Sequence, residues 1–415
     1  MNQELSLEDI QNFKGKYPKQ IWWLFLSEMW ERFSFYGMRG MLAIFMVEQL
    51  HLSEKESNLK YGATQAFVYA LAFVGGLFAD KILGFRRSIF LGGILMATGS
   101  FILAYNPQNL FYIGISFTIV GCGFFKPNIS TMVGMLYKKG DPRQDTGFSL
   151  FYSGMNIGGL FGGLLCIKVA DDYSWNLAFS LAGIFMILGL TIFIFTQRIL
   201  GPIGKTPLMK GGLPIKKNII YAVYGLSVLM IPIVTVLVQN EQYTDLFMYT
   251  IGPATLLYLA YEMRKLNLNE NKKLIAAIIF IFFSIFFWAF FEQSGGSLSL
   301  FARYNLDGTL AGLDPNQINN SANSFFVVIL SPFVGLIWLW LNRKRMEPNS
   351  VIKFGLAFLF LGASFYVFYS TRFFANSLGI ASLNTFTFAY LIITLGELCL
   401  SPIGLSLMTK LAPKP

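Results

Sequence analysis

Long apolar runs separated by short polar stretches recur from one end of the chain to the other. About twelve such runs are found, with approximate cores at 21–47, 62–83, 88–105, 110–136, 146–169, 175–197, 218–239, 245–262, 273–302, 321–342, 352–370 and 383–409. Most are long enough to cross a hydrocarbon layer of about 30 Å as a helix. None alternates polar and apolar positions as a half-buried strand would. A segment in lipid must satisfy its own backbone groups, so runs of this length read as helices. The expected fold class is an all-α polytopic membrane protein.

The polar stretches carry the orientation. Alternate loops are basic: Lys81, Arg86 and Arg87; Lys138, Lys139 and Arg143; Arg198, Lys205, Lys210, Lys216 and Lys217; Arg264, Lys265, Lys272 and Lys273; Arg343, Lys344 and Arg345. The intervening loops carry Glu54 and Glu56, Asp171 and Asp172, Glu241 and Asp245, Asp307 and Asp314, with Arg372 as an exception. Excess positive charge marks cytoplasmic loops, which puts both ends of this chain in the cytoplasm. The stretch Gly201 to Lys217 is rich in Gly, Pro and Lys and reads as a flexible linker after six helices. The expected organisation is a six-helix bundle over 1–200, a linker and inserted helical hairpin over 201–270, and the first four helices of a second bundle over 271–415.

Composition agrees with the pattern. Of 415 residues, 54% are hydrophobic and 13% charged, and the mean hydropathy is +0.55. A soluble domain does not need so much apolar residue. The net charge of +10 sits in loops as a topology signal, which argues against nucleic-acid binding. Cys122, Cys166 and Cys399 fall in apolar runs without metal-ligand spacing, and His51 is the single histidine. No metal site or cofactor is expected. The polar stretch from Met1 to Gln20 lacks the short apolar core and small-residue cleavage site of a signal peptide.

Charges inside the apolar runs change the picture most. They are Glu28, Glu31, Arg32 and Arg39 in the first run, Lys126 in the fourth, Glu292 in the ninth and Glu397 in the last. Each costs about 3 kcal/mol at bilayer depth on insertion scales, so such residues pair or line a wet cavity and default to functional candidates. Residues 28, 31, 32, 35, 36 and 39 share one helical face, and Glu28 reaches Arg32 at i, i+4. The face serves either as a cavity wall or as ion-pair glue between helices. Lys126 needs an acidic partner, with Glu28 or Glu31 as candidates, and Pro127 beside it frees a backbone carbonyl. Asn156 precedes Gly158 and Gly159, which suit close helix approach; the amide is either a ligand or helix glue. Cations come from the N-terminal part and acids alone from the C-terminal part. That describes a pocket with a positive and a negative wall, suited to a zwitterion.

At these positions the chain resembles the proton-dependent oligopeptide transporter family of the major facilitator superfamily. Glu28-x-x-Glu31-Arg32-Phe33 is similar to the family's first-helix signature. Gly75-Gly76 through Gly84 with Arg86 and Arg87 resembles its loop between helices 2 and 3. Phe125-Lys126-Pro127-Asn128, Phe151 to Gly159, Trp288 to Gln293, Asn323 before Phe325-Phe326, Glu347-Pro348 leading to Lys353, and Glu397 to Ser406 also match, in family order. The hairpin at 218–262 is similar to the extra helix pair of bacterial members.

The resemblance implies a major-facilitator-like bundle with rocking halves and a midplane site. It implies a proton-coupled symporter that imports di- and tripeptides across the bacterial inner membrane. Arg32, Lys126, Tyr36 and Tyr69 would hold the peptide carboxylate. Glu397, Asn156 and Asn323 would hold the amine, and Trp288 and Ser401 would border side-chain pockets. Arg39 and Glu292 would form an extracellular-side gate, and Glu28 and Glu31 would couple protons through Lys126. Three departures stand out. Phe35 replaces a family tyrosine. Tyr69 lies where animal members carry a histidine. The family continues for two further helices beyond the run ending at Ala412-Pro413-Lys414-Pro415. Other functions weighed are a carrier of nitrate or an amino acid, a non-transporting nutrient sensor, and a channel. An enzyme is disfavoured, because no clustered nucleophile and base or phosphate loop is present.

Overall fold

The apolar runs become helices, and the polar signals at their ends become caps. The computed structural model describes residues 5–207, 209–210, 213–214 and 217–411. The rest of the expected linker, residues 208, 211–212 and 215–216, lies outside the described residues, as do Ala412 to Pro415. In chain order the helices are α1 Leu7–Gln11, α2 Lys19–Glu48, α3 Glu54–Phe78, α4 Phe85–Tyr105, α5 Phe111–Met135, α6 Arg143–Asp172, α7 Trp175–Thr196, α8 Lys217–Gln239, α9 Glu241–Met263, α10 Leu268–Phe291, α11 Ser297–Asn305, α12 Pro315–Arg343, α13 Ser350–Ser370 and α14 Leu383–Leu411. Ser53 and Glu56 form a capping box at α3, Asn267 and Glu270 at α10, and Asp314 and Gln317 at α12, where Pro315 opens the helix.

Every expected run falls on a helix, but they are not equally apolar. Among the described residues, nine helical stretches are long and apolar enough to cross a membrane by length and composition. The long helices α2, α5 and α9 are not among them. The charges on α2 and the Lys126-Pro127-Asn128 sequence on α5 dilute their apolar character.

The chain divides into two compact units, Met1–Tyr243 and Thr244–Pro415. In the first, α2 packs on α6 and α7, α4 on α5 and α7, and α3 on α5. Glycines set these spacings. A Cβ on Gly158 or Gly162 of α6 would overlap the carbonyl oxygen of Met29 or Phe33 on α2. Pro127 leaves the Gly123 carbonyl without its intrahelical donor, and that carbonyl lies against Gly75 of α3. The first helix of the expected hairpin, α8, also belongs here. It buries Val223, Ser227, Ile231, Val234 and Val238 on one stripe. Thr235 donates to Ser116 on α5 (2.9 Å) and Lys60 of α3 donates to the Gln239 carbonyl at the end of α8 (2.8 Å).

A short π-helical turn, Ala79–Leu83, ends at Gly84 with φ +78. A side chain there would meet Thr206 N at 2.6 Å, so glycine is required twice over. Next to it the Arg86 guanidinium donates to the carbonyls of Ile203 (2.7 Å), Gln197 (3.3 Å) and Gly201 (2.6 Å), which ties down the start of the expected flexible linker.

In the second unit the run read as one span over 273–302 is broken. α10 ends in a 3-10 turn, Glu292–Gly295, and α11 begins after Gly296. Two adjacent glycines carry no side chain to hold the helical path, which is the physical reason for the interruption. A two-residue strand β1, Leu306–Asp307, pairs in parallel with β2, Ala381–Ser382. The core contains Phe287, Phe354, Phe368, Phe386 and Tyr390. The first half of α12 is polar yet buried, including Asn316, Gln317, Asn319 and Ser321.

Candidate functional site

In the first unit the site is built on α2. Helical spacing places Glu28 one turn before Arg32, and Glu28 Oε1 lies 2.6 Å from Arg32 Nη2 and 2.7 Å from Nε. Glu31 Oε2 lies 3.2 Å from Arg32 Nε. Both acids are fully buried and Arg32 is 7% exposed. Among the described residues, none donates a hydrogen bond to Glu28 Oε2 or to either Glu31 oxygen. One guanidinium thus faces two carboxylates, leaving buried acceptor capacity in which a proton can be held.

Lys126 interacts electrostatically with both expected acids, Glu31 and Glu28, without touching either. No acid lies within ion-pair distance of its Nζ among the described residues; Nζ stands 3.3 Å from the centroid of the Phe35 ring. Arg32 shares a helix with both acids and its fork reaches them first. The ammonium on α5 meets the aromatic face that α2 presents beside them, a cation–π contact. Phe35 lacks the hydroxyl expected from the family pattern, but its ring holds this cation.

Arg39, two turns along α2, donates from Nε to the Tyr61 hydroxyl (2.7 Å), and its guanidinium carbon lies 5.5 Å from the centre of the Tyr36 ring. Tyr69 of α3 is 61% exposed. Asn156 donates to the Tyr152 carbonyl on its own helix (3.0 Å). It lies on α6 just before the point where Gly158 meets α2 and where a Cβ would stand 2.9 Å from that of Arg32.

In the second unit Glu397 is buried on α14. Asn323 of α12 donates to Glu397 Oε2 (2.8 Å) and to Thr394 Oγ1 (3.1 Å). Gly396 lets α13 close on α14 beside the acid, where a Cβ would stand 2.9 Å from the Ala357 carbonyl. Trp288 is half-buried against Phe287 and Phe291. Ser401 is half-buried one turn beyond Glu397, and Glu292 opens the 3-10 turn, also half-buried. The structure therefore joins Glu28, Glu31 and Arg32 in one cluster and Asn323 with Glu397 in another. Sequence reasoning passed over Thr394, although it lies three residues before Glu397 on the same face. Among the described residues no group of His, Cys, Asp and Glu could hold a metal ion.

Comparison with known proteins bears directly on this arrangement. Residues 86–415 match the POT family. The chain is 34% identical over 421 aligned residues to the peptide transporter YePEPT of Yersinia enterocolitica, covering 96% of this chain and 82% of that protein. The chain belongs to the POT family. A second relative, dipeptide and tripeptide permease B of Xenorhabdus bovienii, is 32% identical, with 95% of this chain and 81% of that protein covered. A crystal structure of a peptide transporter POT in complex with sulfate superposes with a TM-score of 0.84 at 31% identity, covering 99% of this chain and 87% of that one. The POT-family assignment agrees with the resemblance read from the motifs on α2, α5 and α14. It makes the chain a multi-pass membrane protein of a transporter family.

Proposed function

We propose that this POT-family protein is a proton-coupled symporter that imports di- and tripeptides by alternating access. The observation that carries this is the opposite character of the two clusters. Arg32 and Lys126 offer cations from the first unit, and Glu397 with Asn323 offers an acid and an amide from the second. A peptide presents a carboxylate at one end and an amine at the other, with variable side chains between. Binding by the ends tolerates many sequences. The names of the relatives from Yersinia and Xenorhabdus support this substrate class.

In this reading Arg32, Lys126, Tyr36 and Tyr69 receive the carboxylate, and Glu397, Asn323 and Asn156 receive the amine. Trp288 and Ser401 border side-chain pockets. Glu28 and Glu31 hold and release the coupling proton. Arg39 and Glu292 gate the outer side. The protein lies in the bacterial inner membrane with both ends of the chain cytoplasmic. It comprises a six-helix bundle over 1–200, a linker and hairpin over 201–270, and helices of a second bundle over 271–415.

The test is uptake of labelled dialanine into proteoliposomes, with and without an inward proton gradient. Gradient-stimulated accumulation is expected; accumulation indifferent to the gradient would remove the proton from the proposal. Glu292→Gln should uncouple uptake from the gradient while leaving peptide exchange partly intact.

A further inference from the structure

Two amides one turn apart on α12 both reach α14. Asn323 bonds Glu397 and Thr394, as described. Asn319, one turn earlier, accepts from the Tyr390 hydroxyl through Oδ1 (2.6 Å) and donates from Nδ2 to the Ser294 carbonyl (2.8 Å). Tyr390, Thr394 and Glu397 follow one another at i, i+4 and i+7, so they form one stripe of α14. Asn319 and Tyr390 are each 2% exposed. Ser294 belongs to the 3-10 turn Glu292–Gly295, where the helix is interrupted. An interruption inside a membrane span leaves backbone groups in need of partners. The Asn319 amide supplies a donor to that backbone, and Tyr390 fixes the amide from its other end.

We propose that Asn319 is a positioning residue, held by Tyr390, that links the stripe of α14 bearing Glu397 to the helix break bearing Glu292. This rests on the reading of Glu397 as the contact for the peptide amine and Glu292 as a gate residue. An asparagine suits the position because its two ends have different polarity. Its oxygen is committed to Tyr390 and its nitrogen to Ser294, so turning the amide over loses both bonds. Motion of α14 on binding an amine is passed to the break through two buried, directional bonds.

The experiment is hydrogen–deuterium exchange on the full chain in nanodiscs, with dialanine and N-acetyl-dialanine as probes. In the unaltered protein dialanine should slow exchange of amides 292–300 about fivefold, the lower end of usual site-to-site coupling. N-acetyl-dialanine should slow it far less. Asn319→Leu combined with Tyr390→Phe removes both members of the bridge together, which disturbs folding less than stranding one of them in the interior. That variant should bind dialanine with close to unaltered affinity and lose the dialanine-dependent slowing. Should it fail to fold, Tyr390→Phe alone decides by the same readout. Slowing that persists without the bridge, or never occurs in the unaltered protein, overturns the link. Glu397→Gln separates the two claims. If it binds both probes as the unaltered protein does, the amine reading is what fails, and the link falls with it. If it loses selectivity for the free amine while the bridge variants keep the slowing, the link alone fails.

Discussion

On α2, Glu28, Glu31 and Arg32 stand within little more than one turn, almost wholly buried. On α12 and α14 a single acid, Glu397, is met by an amide and, through that amide, a threonine hydroxyl. The first cluster is held by backbone contact, since α6 approaches α2 through Gly158 and Gly162. The second is held by side-chain hydrogen bonds across two helices. The difference bears on what each can do. A cluster of opposed charges changes its balance when one proton moves, and it needs a rigid frame to keep those charges from solvent. An acid bonded by a neutral amide can offer its charge to an incoming amine. The first suits coupling and the second suits recognition.

That division can be broken most severely at Lys126. Lys126→Ala removes the cation that stands over Phe35 and, with it, the through-space attraction that this cation exerts on Glu28 and Glu31. Truncating one member of a buried charge set costs several kcal/mol. Gradient-driven uptake should fall below detection while the protein still inserts and folds. Uptake at the unaltered rate under a pH gradient would falsify the coupling role of the first cluster.

A smaller effect is expected on the recognition side. Glu397→Gln keeps the shape and the polar partners but loses the charge. Affinity for dialanine should drop about tenfold, the scale of one charge-assisted hydrogen bond, and that for N-acetyl-dialanine should change little. Equal losses for the two ligands, read from competition of labelled uptake, count against an amine contact.

The frame itself is tested by Gly158→Ala. The added methyl would overlap the Met29 carbonyl, and overpacking of this kind costs about 1–3 kcal/mol. The melting temperature should fall and Arg32 should shift with its helix, reducing uptake. Gly335→Ala, on α12 where nothing lies within 4 Å of the new methyl, is the control and should change neither. A matched pair of melting curves decides it.

The smallest effect lies outside the membrane spans. Glu347 accepts from Lys353 (2.5 Å) and from Asn342 (2.6 Å), and these bonds hold its carboxyl below the usual glutamate range. A depressed acid stabilises the fold above its unfolded-state range and loses that contribution as pH falls through the lowered value. The group is partly solvated, so the gain is at most about 1 kcal/mol. Glu347→Gln should lower stability slightly at neutral pH and flatten the acid side of a melting-temperature profile. A parallel downward shift at every pH would show that the proton plays no part.

Much of this was legible in advance, and the failures share a cause. Apolar runs gave the helices because length and hydropathy act locally. The Glu28–Arg32 pair followed from i, i+4 spacing on one helix. Lys126 and Phe35 did not follow, because their meeting depends on how α2 and α5 are rotated against each other. Asn319 and Tyr390 are 71 residues apart in sequence, and nothing in their immediate neighbours signals the bridge. The break after Glu292 had a local cue in Gly295 and Gly296, yet the surrounding hydrophobicity reads as one continuous span. Local signals identify elements and the charges they carry; pairings across helices come only with the packing.

The docking of α8 has a practical side for anyone engineering this protein. Its final carbonyl is clasped by Lys60, which ties the junction at Asn240 to α3. A fluorescent domain spliced there would have to pull that clasp open. In the polar turn after Met263, Lys265 is engaged with Glu262 three residues before it, and Arg264 and Lys265 are exposed. Reporter domains, protease sites and new chain termini belong in that exposed turn between α9 and α10.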